Sequence, residues 1–314
     1  MTRDYIVTGG CGFIGSNFVN YLCDHTDGTV HVLDKMTYAA DIGNILQKNY
    51  KDNRVVVTCC DLATSKSVIA DALNGENVKA IFHFAAESHV DNSITGPEIF
   101  IDANVYGTFN LLQKAREYNV PRFVHVSTDE VYGALGLDDP SFKESNPLEP
   151  NNVYSASKAS ADLIVRSFNK TFGLDVVTTR CCNNYGPRQH DEKLVPKVIS
   201  NALNDKPIPV YGKGENVREW IYVEDHCKAI YEVYKNGQAG EVYNIGSGKE
   251  IQNIEMVKLI LDIVGKPHDL IEFVDDRLGH DFRYSINSDK LNSIAKIDYK
   301  DFKEGLEQTI QWYR

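Results

Sequence analysis

An apolar run and three regularly spaced glycines follow one another in residues 5–15, YIVTGGCGFIG. The apolar run predicts a buried strand that ends at Thr8, and the pattern from Ile14 to His25 predicts the helix that follows. Gly9 permits a tight turn, Gly12 lets the backbone approach a pyrophosphate, and Gly15 allows the helix to pack closely. Exposed amides at the start of the helix favour the negative charge of a phosphate. The segment therefore predicts a dinucleotide-binding turn, although its spacing, GxxGxxG, matches the GxGxxG fingerprint only loosely.

Short β-rich runs alternate with longer helical patterns through the rest of the first half. The predicted strands are Tyr5–Thr8, Thr29–Leu33, Arg54–Thr58, Ala80–Phe84, Arg122–Ser127 and Asp175–Arg180. The predicted helices are Ile14–His25, Ser65–Leu73, Ile99–Tyr118 and Ser155–Phe172. This alternation predicts an α/β fold, a Rossmann-type doubly wound parallel sheet with helices on both faces.

The pattern changes after Arg180, where Asn, Gly and Pro separate shorter elements. We expect a Rossmann domain in residues 1–180. Residues 181–314 are predicted to form mainly a smaller substrate-binding lobe, interleaved with the sheet so that some of its segments return to the Rossmann domain.

Composition excludes several classes of protein. The 314 residues are 42% hydrophobic and 25% charged, which is ordinary for a globular protein, and no long apolar run predicts a signal peptide or membrane span. The formal charge of -11 disfavours nonspecific binding to nucleic acid or anionic membranes. Seven cysteines without CxxC spacing predict reduced, mostly buried thiols in a cytoplasmic compartment. The His and Cys spacing predicts no metal site.

An acidic residue follows the second predicted strand at the position where dinucleotide-binding proteins hold the ribose. Asp34 lies nineteen residues after Gly15, so its carboxylate would accept the adenosine ribose hydroxyls. Since no partner for a 2'-phosphate is evident, the segment favours NAD over NADP. Asp61 and Leu62 follow the third strand and could meet the adenine, although Asp61 could equally be a loop acid that starts the next helix.

Tyr154 and Lys158 lie four residues apart at the start of a predicted helix, so their side chains share one face. A lysine ammonium and a cationic nicotinamide would each favour the tyrosinate and lower the pKa of the phenol. Tyr154 could then remove the proton of an alcohol while hydride leaves the same carbon. The alternative is a surface tyrosine beside a solvated lysine.

Two adjacent carboxylates follow the fifth predicted strand in residues 127–133, STDEVYG. Asp129 and Glu130 suggest that oxidation is accompanied by an elimination, in which one carboxyl acts as an acid and the other as a base. Because consecutive strand residues point to opposite faces, both can face one substrate only if the strand has ended. We therefore predict a bend or a helix start at Asp129. The alternative is a solvated acidic loop, or an acid pair that caps the next turn.

Taken together, these motifs resemble the extended short-chain dehydrogenase/reductase family, and specifically its nucleoside-diphosphate-glucose 4,6-dehydratases of the dTDP-glucose type. The resemblance covers nearly the whole chain and is carried by Thr8–Gly15, Asp34, Thr37–Ala39, Ala85–Asp91, Ser127–Gly133, Tyr154–Lys158, Asn183–Pro187, Glu192–Leu194, Arg218 and Arg277–Tyr284. In that family the Asp-Glu pair separates the dehydratases from epimerases and decarboxylases. Asp191 and Leu278 depart from the family pattern in segments that would shape nucleotide specificity, so thymine and uracil both remain open.

The resemblance implies the site residues. Catalytic roles fall to Thr128, Asp129, Glu130, Tyr154 and Lys158. The expected NAD contacts are Gly9, Gly12, Phe13, Ile14, Gly15, Asp34, Lys35, Thr37, Asp61, Leu62, Ala85, Ala86, Ser88, Tyr154 and Lys158. The expected substrate contacts are Ser88, Thr128, Asn183, Glu192, Lys193, Leu194, Arg218, Asn253, Arg277 and His280. Plain alternatives for these polar residues are turns, solvated side chains and surface ion pairs.

The implied reaction begins when Tyr154 takes the proton of the sugar 4-hydroxyl and hydride passes from C4 to NAD. Glu130 would then remove the C5 proton, and Asp129 would donate to the departing C6 hydroxyl. Hydride would return to C6 while a proton is restored at C5. The expected product is a 4-keto-6-deoxy sugar. The rival functions are a nucleotide-sugar epimerase or decarboxylase, and an NAD-binding regulatory protein without turnover.

A homodimer is also expected. In this family the long helices predicted at Ile99–Tyr118 and Ser155–Phe172 pack against their equivalents in a second subunit, and a two-fold pair is the commonest oligomer. Burial of both helices against their own sheet fits the pattern equally well.

Overall fold

The computed structural model describes residues 4–74, 77–276 and 279–314. Its strands are β1 Asp4–Thr8, β2 Val30–Asp34, β3 Val55–Cys59, β4 Val78–His83, β5 Phe123–Thr128, β6 Val176–Cys181, β7 Asn183–Tyr185, β8 Ile208–Tyr211, β9 Val217–Tyr222, β10 Val242–Ile245, β11 Glu250–Gln252 and β12 Ile271–Val274. The α-helices are α1 Phe13–His25, α2 Gln47–Lys51, α3 Lys66–Leu73, α4 Val90–Thr95, α5 Glu98–Phe100, α6 Gly107–Glu117, α7 Val153–Phe172, α8 Leu194–Leu203, α9 Val223–Asn236, α10 Asn253–Val264, α11 Asp289–Asn292 and α12 Phe302–Tyr313. Short 3-10 helices span Ile42–Asn44, Asp129–Tyr132 and His268–Leu270.

Seven strands form one parallel sheet in the order β10-β6-β5-β4-β1-β2-β3. The chain crosses over between β3 and β4, which is the topology that brings the carboxyl ends of β1 and β4 together. The predicted doubly wound sheet is confirmed. Its last strand, β10, comes from the second half of the chain and pairs with β6.

Apolar residues cover both faces of the sheet, because strands buried on two sides need helices on each. On one face β1 packs against α1 and α9 through a cluster that includes Tyr5, Phe18 and Ile230. On the other face α3, α6 and α7 enclose a second cluster that includes Ile6 and Leu111. The sheet is therefore held rigidly beneath the loops that leave its carboxyl edge.

A smaller lobe contains the remaining strands. Its three-stranded sheet has the order β11-β9-β7, and a separate pair joins β12 to β8. Its own core includes Trp220, Ile260 and Leu306 and lies between α8, α10 and α12. Among the described residues no helix is long and apolar enough to cross a membrane.

Two local features differ from regular structure. The helix predicted at Ile99–Tyr118 contains a π-helical segment, Ile101–Tyr106, between α5 and α6. In that segment Asn104 accepts a hydrogen bond from the amide of Glu87 and donates to Ser157 Oγ at 2.8 Å, so the wider turn directs a buried amide toward α7. The second feature, the 3-10 helix at Asp129–Tyr132, confirms the predicted helix start after β5.

Candidate active site

A cavity of about 350 Å³ lies where β1, β2, β4, β5 and β6 end, between the parallel sheet and the smaller lobe. Open parallel sheets hold their ligands at this edge, and the volume is typical of a small-molecule site. Every residue predicted to be catalytic or to contact the cofactor lines this cavity. Their proximity is a property of the fold, since they come from segments spread over the first 158 residues.

The glycine turn has the geometry that its sequence predicts. Gly9 adopts a φ of 68°, and a Cβ there would lie 2.7 Å from Ala85 Cα. A Cβ on Gly15 would collide with the carbonyl oxygen of Gly9. Gly12 is different, because a Cβ there would meet only the Gly9 oxygen, at 3.4 Å, yet Gly12 lines the cavity. A glycine at that position leaves the cavity open beside the first turn of α1.

Asp34 is buried at the end of β2, and each of its carboxylate oxygens accepts one backbone amide. Oδ2 accepts from Cys11 N at 2.9 Å and Oδ1 from Met36 N at 2.8 Å. These bonds fix the carboxylate at the cavity wall and leave lone pairs for further donors. Asp61 accepts from the amide of Ala63, pairs with Lys35 at 2.9 Å and lines the cavity. It does not begin the next helix, since α3 starts at Lys66.

Tyr154 and Lys158 project from the first turns of α7. Asn152 and Ser155 form a capping box that fixes the start of this helix. Lys158 is 4% exposed and donates to Val126 O at 2.8 Å, which ties it to β5. Burial lowers the pKa of Lys158 to about 8, although the charge of Asp162 acts in the opposite direction.

Burial raises the pKa of Tyr154 well above its ordinary value, and the charge of Glu130 raises it further. A hydrogen bond with Thr128 acts in the opposite direction. The sequence predicted that Lys158 and the cofactor lower the pKa of Tyr154. The protein groups by themselves raise it instead. The physical reason is that desolvation of the tyrosinate exceeds the stabilisation that the surrounding protein groups supply.

The two adjacent carboxylates occupy different environments although both line the cavity. Asp129 is 3% exposed, whereas Glu130 is partly exposed. Burial raises the pKa of Asp129 well above its usual range, and the charges of Glu130 and Glu219 raise it further. The 3-10 turn creates this difference: Thr128 Oγ1 accepts from the amide of Glu130 and donates to Asp129 Oδ1, both at 3.3 Å. The geometry places a buried carboxyl with a raised pKa beside one that meets solvent.

Several predicted substrate residues line the same cavity. Ser88, Thr128, Asn183, Glu192, Lys193 and Leu194 all line it. Lys193 Nζ donates to Ser88 O at 2.8 Å across the cleft between the sheet and the smaller lobe. This bond places a cation at the mouth of the cavity.

Three other predicted substrate residues do not line the cavity. Arg218 is buried, donates to the carbonyls of Val217, Asp281 and Phe282, and lies 4.3 Å from the ring centroid of Tyr284. Asn253 begins α10, and His280 Nδ1 lies 2.6 Å from Asp276 Oδ1. Arg277 lies outside the described residues, so its predicted role is not addressed by the structure.

The cavity also contains residues that the sequence did not single out. Gln189, His190 and Trp220 line it. Trp220 lies on β9 opposite Asn183 of β7, and it shares a strand face with Arg218 because the two are separated by one residue. This alternation along the strand is the sequence signal that could have identified Trp220. Gln189 and His190 lie in a loop without periodicity, where the sequence offered no such signal.

One family model matches nearly the whole chain. A model of the family described as GDP-mannose 4,6 dehydratase matches residues 6–309. The chain belongs to this family. The predicted resemblance to nucleotide-sugar dehydratases is therefore confirmed.

Two curated relatives match the chain along almost all of their length. The low-salt glycan biosynthesis protein Agl12 of Haloferax volcanii is 49% identical, over 99% of this chain and 98% of its own. The dTDP-glucose 4,6-dehydratase of Haemophilus influenzae is 42% identical, over 98% of this chain and 97% of its own.

Solved structures of dehydratases and epimerases share the fold. The dTDP-glucose 4,6-dehydratase DesIV of Streptomyces venezuelae, crystallised with NAD, has a TM-score of 0.93 and 46% identity, and the match covers 99% of this chain and 97% of DesIV. The UDP-glucose 4-epimerase of Thermus thermophilus, also in complex with NAD, has a TM-score of 0.91 but only 26% identity, with 99% of each chain covered. Backbone shape is common to both enzyme types, and the sequence lies closer to this dehydratase than to this epimerase.

Proposed function

We propose that this chain is an NAD-dependent nucleotide-sugar 4,6-dehydratase that converts dTDP-glucose, or UDP-glucose, to the 4-keto-6-deoxy sugar. The observation that carries the proposal is the placement of Asp129 and Glu130 in the cavity that also holds Tyr154 and Lys158. A dehydrogenase or an epimerase needs only the tyrosine and the lysine. A buried acid that retains its proton beside a second carboxylate is what elimination of water requires in addition.

The cavity suits NAD on structural grounds. Gly9 and Gly15 are in contact, so only glycines permit the tight turn, and Gly12 leaves open space for a pyrophosphate beside the start of α1. Asp34 is fixed at the wall where a ribose hydroxyl would donate to it. When bound there, NAD supplies a hydride acceptor for the sugar C4 and a hydride donor for C6.

In the first half-reaction Tyr154 takes the proton of the sugar 4-hydroxyl. Thr128 donates a hydrogen bond to the developing oxyanion, and the Lys158 ammonium stabilises the tyrosinate. Because burial raises the pKa of Tyr154 in the chain alone, this step depends on the positive charge of the oxidised cofactor and of Lys158. We therefore expect proton removal only in the loaded site.

In the second half-reaction the 4-ketone acidifies the C5 hydrogen. Glu130, the more exposed carboxylate, removes that proton, and Asp129 gives its proton to the departing C6 hydroxyl. When hydride is added at C6, a proton is restored at C5. The raised pKa of Asp129 suits a general acid at neutral pH. Glu130 is the carboxylate of the pair that meets solvent.

Residues 1–180 are proposed to bind the cofactor, and residues 181–314 are proposed to bind mainly the substrate. Ser88, Asn183, Glu192, Lys193 and Leu194 lie suitably for the sugar and diphosphate. Arg218, Asn253, Arg277 and His280 remain predicted substrate contacts toward the nucleotide end. The ammonium group of Lys193 and the guanidinium groups of Arg218 and Arg277 would suit the negative charge of the diphosphate.

The proposal is tested by incubating the protein with NAD and either dTDP-glucose or UDP-glucose and measuring product mass. A dehydratase yields a product lighter by one water, and the preferred nucleotide identifies the base. An epimerase yields a product of unchanged mass. A regulatory protein without turnover leaves both substrates intact.

We also infer a homodimer. Several apolar side chains on the helices from α5 to α7 are exposed, among them Ile101, Tyr106, Phe109, Leu163 and Phe172. A second copy would cover this face by pairing equivalent helices about a two-fold axis. Leu163, which is 58% exposed, offers the test: Leu163→Glu is expected to halve the mass measured by light scattering, whereas an unchanged mass would contradict this interface.

A cytoplasmic location is proposed as well. The seven cysteines are free and six of them are buried, which fits a reducing compartment.

A further inference from the structure

A buried polar cluster lies behind Lys158, on the side away from the cavity. Tyr154, Lys158 and Asp162 occur at intervals of four residues on α7, and all three are buried. Residues at this spacing lie along one helix face. Tyr154 and Lys158 line the cavity, whereas Asp162 lies one turn further from it. The proposed reaction gives Asp162 no role.

Asp162 is held by two neighbouring strands. Its Oδ2 accepts from Arg180 Nε at 2.8 Å, and its Oδ1 lies 3.2 Å from His125 Nε2. The Arg180 guanidinium is itself packed 4.7 Å from the ring centroid of Tyr132. The carboxylate is therefore fixed between β5 and β6, directly beneath the sheet edge that carries Thr128.

The cluster keeps Asp162 ionised in spite of its burial. Burial raises the pKa of Asp162, but the contact with His125 and the charge of Arg180 outweigh this effect and lower the pKa to about 2. His125 is neutral at pH 7, because burial and the charge of Lys158 lower its pKa. Asp162 is thus a permanent negative charge one helical turn from Lys158.

Titratable groups of four elements surround Lys158. They are His83 on β4, His125 on β5, Cys181 on β6, and Asp162 on α7, which also carries Tyr154. Burial lowers the pKa of both histidines, and burial raises that of the Cys181 thiol to about 12, so these three carry no charge at pH 7. Within this set Asp162 alone is negative at that pH, since burial raises the pKa of Tyr154.

We propose that Asp162 is a positioning residue of the reaction, which holds Lys158 in its ammonium form beside Tyr154. Arg180 and His125 fix the carboxylate, and the carboxylate offsets the burial of the lysine. The role in turnover rests on the proposed function, because it requires Tyr154 to act as the base. The effect on Lys158 itself does not require turnover.

A second Arg–Asp pair, at the start of β5 and β6, provides a matched control. Arg122 precedes β5 and Asp175 precedes β6, and their side chains form two hydrogen bonds, of 3.0 and 2.9 Å. This pair lies at the opposite edge of the sheet from the cavity. Asp175→Asn removes the same charge from the same kind of pair without approaching Lys158.

The test is titration of Lys158 by NMR in the full-length protein labelled with [13Cε]lysine, with the resonance assigned through Lys158→Arg. The unmodified protein is expected to titrate near pH 8. Asp162→Asn should weaken proton binding about tenfold or more, a shift of about one pH unit. Asp175→Asn should titrate as the unmodified protein does. An unchanged midpoint in Asp162→Asn would overturn the proposal.

If Asp162→Asn does not fold, the double variant Asp162→Asn with Arg180→Gln is used in its place. It leaves neither buried charge without its partner. Because Asp162 lies on the lysine's own helix, proton binding by Lys158 should still be weakened about threefold or more. A midpoint equal to that of the unmodified protein would show that the ion pair is only structural.

The pH profile of hydride transfer gives a second measurement. The unmodified protein and each variant are loaded with substrate, and absorbance of bound NADH is followed. If Asp162 keeps Lys158 protonated, the alkaline limb of the pH profile moves to lower pH in Asp162→Asn. It stays in place in Asp175→Asn. A protein that titrates as expected but forms no NADH would contradict the proposed function, not the effect of Asp162.

Discussion

An Arg–Asp pair lies at each end of strands β5 and β6, and the two pairs have different surroundings. At the amino end Arg122 and Asp175 are partly exposed, with 18% and 35% of their side chains accessible. At the carboxyl end Arg180 and Asp162 are buried, with 6% and 4% accessible. An exposed pair is screened by water and contributes little, whereas buried charges act strongly on their neighbours. The pair at the carboxyl end can therefore shift the pKa of a reacting lysine. The pair at the amino end only joins the two strands.

The same contrast separates Asp129 from Glu130 within the cavity. They are adjacent in sequence and identical in charge type, yet the 3-10 turn buries one and leaves the other partly exposed. Burial, together with the charges of Glu130 and Glu219, raises the pKa of Asp129 and suits the two carboxyls to opposite roles, acid and base.

The largest effect is expected from Tyr154→Phe, which removes the base of the first step. Hydride transfer and elimination should both fall about 10²–10⁴-fold, because general base catalysis typically contributes that much. Absorbance at the NADH maximum and product mass report the two steps. Substantial NADH formation by this variant would mean that another group removes the 4-hydroxyl proton.

Glu130→Gln should separate the two half-reactions. Bound NADH is expected to form and persist, while release of water falls about 10²–10³-fold for lack of a base at C5. Rapid mixing with absorbance detection, followed by mass analysis, distinguishes the two. Normal product formation would show that the base is assigned wrongly.

Asp129→Asn should impair elimination and stabilise the fold. Because the pKa of Asp129 is raised in the folded state, the unfolded chain ionises first, and stability falls as pH rises above the unfolded pKa. At pH 7 the amide should raise the free energy of unfolding by about 1–3 kcal/mol, and this gain should vanish below about pH 4. Urea denaturation at both pH values checks the sign, and a loss of stability at pH 7 would contradict the assignment.

Asp175→Asn is expected to have the smallest effect. The partly exposed pair should contribute about 1 kcal/mol or less, so the melting temperature falls slightly and turnover is unchanged. Thermal unfolding and steady-state assays provide the measurements. A large fall in activity would mean that the two ends of β5 and β6 are coupled.

Much of this architecture was predictable from sequence because it depends on local patterns. The six predicted strands are all present within a few residues, since apolar β-rich runs between helices have few alternative structures. The glycine turn and the helix start at Asp129 followed from stereochemistry. The π-helical segment did not, because it depends on where the Asn104 side chain finds partners in distant elements.

The parts that sequence could not predict are those assembled by long-range packing. Asp162, His125 and Arg180 are isolated residues on three elements, with nothing in their spacing to relate them. Trp220 reaches the cavity because β9 pairs with β7. The raised pKa of Tyr154 also depends on burial that no motif reveals. Motifs located the reacting groups, and the fold determined their protonation.

The most direct test of the elimination mechanism uses dTDP-glucose labelled with deuterium at C4. If Tyr154, Asp129 and Glu130 act in sequence in one cavity, the label should appear at C6 of a product that has lost one water. NMR of the product locates the deuterium. Deuterium that remains at C4, in a sugar of unchanged oxygen content, would contradict the mechanism.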